Sequence, residues 1–299
     1  MPKGLIRKVI EWAETQDSIR ALILEGSRAR NTVVDFLSDY DINVFVENPD
    51  PYLRDNRWLE TLDQVWVCIP AEVTVEGQTF SSRLVIFRNG VKADFIFYTL
   101  NILSEFAQPE SLPEQYDNGY RVLLDKDGIT RDMPPPSFQA FLGGKPTEEE
   151  FAGRVIGFWF EAYHVAKYIR RNDLWSVKFR DWGAKSSLMK MMQWNEGARH
   201  DWMLVIPPPL GKDLESWVST DTWDALHDIF AHFDVTDSWK ALYSMMELFR
   251  LLSTETAELL GFAYNRELDR NISGWIQSIR EQSVQPAPAL DAEDDIYDK

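Results

Sequence analysis

Cysteine is nearly absent from this chain, with one residue, Cys68, in 299. A single thiol excludes an intramolecular disulfide, and its place in the apolar run VWVCIP predicts a buried structural group rather than a nucleophile. Histidine is scarce as well: the four residues include no pair at metal-ligand spacing, which argues against a zinc site. No run of eighteen uninterrupted apolar residues occurs, so no membrane partner is expected. The opening MPKGLIRKVIEWAETQ mixes charge with apolar residues at helical spacing, unlike a signal peptide, and the expected location is cytoplasmic.

Positive charge is also in deficit. Lys and Arg number 31 against 48 Asp and Glu, a formal net charge of −17. The C-terminal LDAEDDIYDK holds five acids and one lysine and is expected to be disordered; without it the charge is about −13. Such a body repels nucleic-acid phosphates and attracts cationic ligands, although solubility alone also accounts for it.

What the chain does have is apolar mass. At 44% hydrophobic and 13% aromatic it can bury a large core and is expected to divide into two domains. The first reads as a mixture of strands and helices. After a helix within residues 1–16, SIRALILEG predicts a buried strand ending at Gly26. DYDINVFVE alternates, placing Asp39, Asp41, Asn43 and Phe45 on one face and Tyr40, Ile42, Val44 and Val46 on the other. A helix over RWLETLDQV and a strand at VWVCIP follow. SSRLVIFRNGVKADFIFYTL then predicts a hairpin turning on two residues, Asn89 and Gly90, with Asp94 on its second arm beside Lys92, Ile96 and Tyr98.

The segment RDMPPPSFQAFLGGKP, with four prolines and two glycines, marks a boundary near Gly143. Beyond it the period is helical. Thr147 and Glu150 form a capping-box pattern at the head of a helix of some twenty residues, and further helices are expected at about 175–196, 220–233, 237–260 and 272–282. The expected organisation is 1–143, 144–283 and a tail at 284–299. In class it is α+β: a mixed sheet with flanking helices, then a helical bundle.

Chemistry concentrates in one constellation. Carboxylates at i and i+2 on a strand face stand about 7 Å apart at Cα, close enough to share a divalent cation. Oxygen-only ligation suits Mg2+, which takes one or two carboxylates and completes its shell with water and substrate phosphates. A Gly26-Ser27 turn at a helix start complements this, since its N–H groups and hydroxyl can hold a polyphosphate, and Arg28 adds charge. Singly, each element is an ordinary turn or a solvated strand face. Together they form an ordered pattern: apolar strand, Gly26-Ser27, eleven residues, Asp39-x-Asp41, then Asp94 on a later strand.

That pattern, carried by ILEGS, DYDI and ADFIF, resembles the nucleotidyltransferase superfamily related to DNA polymerase beta. SIRALILEGSR, DYDI, VKADFIFYTL and LLDKDGI look more closely like the aminoglycoside 6-adenylyltransferases that inactivate streptomycin. The likeness continues through FWFEAYHVAKYIRRNDLWSVKF, LMKMMQWNEG, LGKDLESWV and LYSMMELFRLLSTETAELLGFAYN, covering about residues 4–282. ARNTVVDFLS and the acidic tail depart from it.

The resemblance implies Mg2+-dependent transfer of AMP from ATP to a hydroxyl of a cationic aminoglycoside, with release of pyrophosphate. It implies that Asp39 and Asp41 hold metal, that Asp94 is a third ligand or the general base, and that Gly26, Ser27 and Arg28 contact phosphates. Lys178 and Lys212, in matching segments, are candidates to complete the nucleotide site, and Glu161, Asp181 and Glu196 to meet the drug's cations. The strand motifs alone leave open a protein or RNA-end acceptor, though net acidity argues against RNA, and they leave open a silent nucleotide-binding module. They do not choose between monomer and dimer.

Overall fold

The computed structural model describes residues 4–30, 35–108, 112–138, 144–203 and 211–282. The expected tail at 284–299, the boundary glycine Gly143 and most of the loop VIPPPLGKD lie outside them. Contacts divide the chain into two units, residues 1–141 and 142–299.

In the first unit, α1 (Leu5–Glu14) leads into β1 (Ile19–Glu25) and β2 (Tyr40–Val46). The short helices α2 (Asp50–Arg54) and α3 (Arg57–Leu62) follow, then β3 (Val65–Val75), β4 (Gln78–Phe87) and β5 (Lys92–Thr99). Helices α4 (Leu100–Phe106) and α5 (Glu114–Asp117) and strand β6 (Tyr120–Asp125) complete it. The six strands form one mixed sheet in the order β3-β4-β5-β2-β1-β6. Only β2 and β5 among the paired strands run parallel.

Side-chain alternation sends the strands' apolar residues to both faces. Leu22, Leu24, Ile42, Val44, Val46, Phe95 and Phe97 pack with Leu5, Val9, Trp12, Tyr52 and Leu59 of α1–α3. Ala21, Ile23, Phe45, Ile96 and Tyr98 pack on the other face with Ile102, Leu103, Phe106 and Tyr116 of α4 and α5. Buried on both faces, the central strands are near-continuous apolar runs, so the few polar residues within them stand out.

Three local expectations need correction. The hairpin loop holds three residues, Arg88, Asn89 and Gly90, because Phe87 N–H donates to Val91 O at 2.8 Å. Asn89 and Gly90 both take positive φ, 66° and 75°. VWVCIP is not a buried strand: β3 is the edge of the sheet, Trp66 and Ile69 are more than half exposed, and Cys68 is half-buried. The Gly26-Ser27 segment is a turn over residues 26–30, closed by Ala29 N–H to Gly26 O at 3.1 Å, and no helix starts within it.

The second unit is helical: α6 (Glu148–Arg170), α7 (Leu174–Arg199), α8 (Leu214–Trp217), α9 (Thr220–Leu226), α10 (Val235–Leu260) and α11 (Arg266–Glu281). The Thr147 capping box forms as expected, and Asp173, Asp234 and Asn265 cap α7, α10 and α11. Gly261 at φ 72° ends α10 in the left-handed region that glycine enters without strain. The core centres on Phe158 stacked on Phe249 at 3.7 Å. Trp159, Trp194, Trp217 and Trp239 are buried in it, whereas Trp175 and Trp182 are exposed.

Candidate active site

Three strands bring acids to one end and one face of the sheet. In the parallel pair, Asp41 of β2 lies in register with Asp94 of β5; in the antiparallel pair it lies opposite Glu25, the last residue of β1. Registered neighbours project to the same side, so Glu25, Asp41 and Asp94 form a row across the sheet, with Asp39 just before β2.

Gly26 leaves the space that Asp41 fills. Its φ is +73°, and a Cβ there would stand 2.2 Å from Asp41 Oδ2. The adjoining turn carries Ser27. Arg28 has work inside the loop: its Nε donates to the carbonyls of Ser38 at 2.9 Å and Asp39 at 3.1 Å, and its guanidinium lies 3.9 Å from the Tyr40 ring centre. It thereby fixes the backbone that presents Asp39.

Lys92 sits among the acids. Its ammonium donates to Asp39 Oδ2 at 2.7 Å and Asp94 Oδ2 at 2.9 Å. Burial, then the neighbouring Asp94, push the Asp41 carboxyl up to about 6, while Lys92 and Arg30 pull it down. Burial pushes Glu25 further, to about 7, against a hydrogen bond from Asn43. Asn43 Nδ2 donates to Glu25 Oε2 and to Tyr116 Oη, both at 2.9 Å, tying the acid row to the core under α5.

Among the described residues no three carboxylate, imidazole or thiolate groups are gathered closely enough to enclose a metal ion. Mg2+ does not need such a cage, since one or two carboxylates suffice when substrate phosphates supply the rest. The donors here fit that mode: they are all oxygen, and Asp94 Oδ1 is buried with no hydrogen-bond partner.

Over its length, a family model described as streptomycin adenylyltransferase matches residues 2–279 of this sequence. The chain belongs to the streptomycin adenylyltransferase family. Membership in a family of adenylyltransferases makes it an enzyme by class. An aminoglycoside 6-adenylyltransferase from Bacillus subtilis is 25% identical over 279 residues, 90% of this chain and 94% of its own. One from Campylobacter jejuni is 25% identical over 276 residues, 90% of this chain and 92% of its own. The crystal structure of an aminoglycoside 6-adenyltransferase from Bacillus subtilis covers 94% of this chain and 100% of that one, at 20% identity and a TM-score of 0.44.

For this family member, then, the first unit brings together Gly26, Ser27, Arg28, Asp39, Asp41 and Asp94. Lys178 and Lys212 belong to the second unit. The Lys178 ammonium donates to the carbonyls of Ala231 at 2.7 Å and His232 at 2.8 Å, and Lys212 is exposed on the turn before α8. The acids considered for the drug also have partners: Glu161 with Arg180, Asp181 with Lys185, and Glu196 with the Ser219 amide. Sequence reasoning missed Glu25 and the roles of Lys92 and Asn43. A signal was present for each, since Glu25 directly precedes Gly26, and Lys92 and Asn43 share strand faces with Asp94 and Asp41.

Proposed function

We propose that this chain transfers AMP from ATP to a hydroxyl of a cationic aminoglycoside, streptomycin at its 6-position, and releases pyrophosphate, thereby conferring resistance to the drug. The observation that supports this most is the register of Asp41 with Asp94 beside Gly26, which puts a carboxylate cluster next to a turn a phosphate chain can approach closely. In this reading Asp39 and Asp41 would hold Mg2+, which when bound neutralises the triphosphate and favours departure of pyrophosphate. Ser27 donates to a phosphate oxygen. Arg28 keeps Asp39 in place, and Lys92 holds Asp39 and Asp94 together with a positive charge where the cation would otherwise act. Asp94 serves either as a further ligand or as the base that takes the proton of the attacking hydroxyl, a reading its hydrogen-bond-free Oδ1 supports.

The test is pyrophosphate release from ATP and Mg2+ with streptomycin, spectinomycin, kanamycin or no acceptor. Release with streptomycin alone, lost in Asp41→Asn, is the expected result. Release with a different drug would move the acceptor within the class. Absence of release with all three, in a protein that binds Mg-ATP, would refute the aminoglycoside reading.

A further inference from the structure

In the second unit α6 and α7 border an open groove. α6 contributes Glu150, Gly153, Arg154 and Gly157, and α7 contributes Ser187, Lys190 and Trp194, around a cavity of about 320 Å3. These positions recur every three or four residues, so on each helix they share one face.

Two features of this groove lack a purely structural reason. The first is glycine. A Cβ at Gly153 would meet nothing within 4 Å, and one at Gly157 would meet only Ser187 Oγ, at 3.9 Å. Neither residue has positive φ, and glycine inside a helix lowers stability. Packing therefore does not require these glycines, whose effect is to leave the floor bare. The second is charge. Arg154 and Lys190 line the same cavity against one acid, Glu150. Glu150 accepts from Thr147 N–H at the helix cap at 2.8 Å and also attracts Lys190, so one negative charge stands beside the two cations. Burial, then Arg154, push the Lys190 pKa down, the direction expected of a cation held beside another in a partly dry place. Its ammonium lies 5.4 Å from the ring centre of Trp194, another residue of the lining.

We propose that this groove binds a compact phosphate-bearing anion, gripped by Arg154 and Lys190 over the bare floor of Gly153 and Gly157, with the Ser187 hydroxyl as a further donor. A guanidinium fork and an ammonium are the usual partners of phosphate oxygens. The volume lies at the small end of ligand pockets, suited to inorganic phosphate, pyrophosphate or the phosphates of a nucleotide. The inference does not depend on the proposed reaction, since none of its residues belongs to the acid cluster.

The experiment is calorimetric titration of the full chain, without added metal, with inorganic phosphate, pyrophosphate and ATP. It is run on wild type, Lys190→Met, Gly153→Leu and Asp41→Asn, each checked by thermal melting. Pyrophosphate should bind wild type and Asp41→Asn alike, and Lys190→Met should weaken it about tenfold or more. Gly153→Leu, at a position where a Cβ meets no atom within 4 Å, should weaken it similarly while the protein stays folded. In the Asp41→Asn background, tighter binding of ATP than of pyrophosphate would make a nucleotide the source of the phosphate, and equal binding would make it the free anion. No binding of any of the three, affinities unchanged by both groove variants, or binding lost in Asp41→Asn alone would overturn the proposal.

Discussion

At Gly26 the site depends on one missing methyl group. Alanine there would carry a Cβ 2.2 Å from Asp41 Oδ2 on a backbone at φ +73°, so Gly26→Ala should strain the turn by about 1–3 kcal/mol and displace the carboxylate. The expected outcome is a folded protein with a lower melting temperature and little adenylyl transfer. Asp41 itself titrates high because burial and Asp94 disfavour its charge, and Lys92 opposes them. Carboxyl NMR of the metal-free protein should therefore place its midpoint near 6, and Lys92→Met should move it upward. Glu25 makes a different prediction. Its folded-state pKa is raised to about 7 from an unfolded value near the ordinary 4.5, so the native state holds a proton that the unfolded chain releases. Its contribution is fully present below the ordinary value and is lost as pH rises through about 7, a change of order 3 kcal/mol. Urea melts between pH 4.5 and 7.5 should show that fall in wild type and a flatter profile in Glu25→Gln.

Elements show where sequence reading reaches and where it stops. β2 and β5 were legible because strand alternation is local, and Asp41 and Asp94 fall on the face their parity assigns. The long helices of the second unit were legible for the same reason, with periodicity and caps agreeing over α6, α7 and α10. β3 was not, because nothing in VWVCIP says that it lies at the sheet edge; that follows from strand order, which is set by distant pairing. Residues 227–233, included in an expected helix, leave it after Leu226 because Asp234 caps α10 and Asp237 accepts from the His232 amide. Glu25 had a signal in its place before Gly26, but its position opposite Asp41 is set by the register of two strands and not by local sequence. The same local logic yields a stability prediction in α6. Gly153→Ala should raise stability by about 0.5–1 kcal/mol, measured by denaturant melts, since the added methyl meets no atom.

For the whole molecule, the excess of acids becomes a statement about its substrate. A formal charge of −17 favours the approach of any cation over distances that salt shortens. If streptomycin is that acceptor, kcat/KM for it should fall several-fold between about 0.05 and 0.5 M salt, while kcat at saturation changes little. The central claim joins the acid row of one unit to adenylyl transfer onto a drug, and the most direct test is the mass of streptomycin after incubation with ATP, Mg2+ and enzyme. The expected result is a drug heavier by one AMP with wild type and unchanged drug with Asp41→Asn of matching circular dichroism. Unmodified streptomycin after prolonged incubation with wild type, or equal modification by Asp41→Asn, would contradict it.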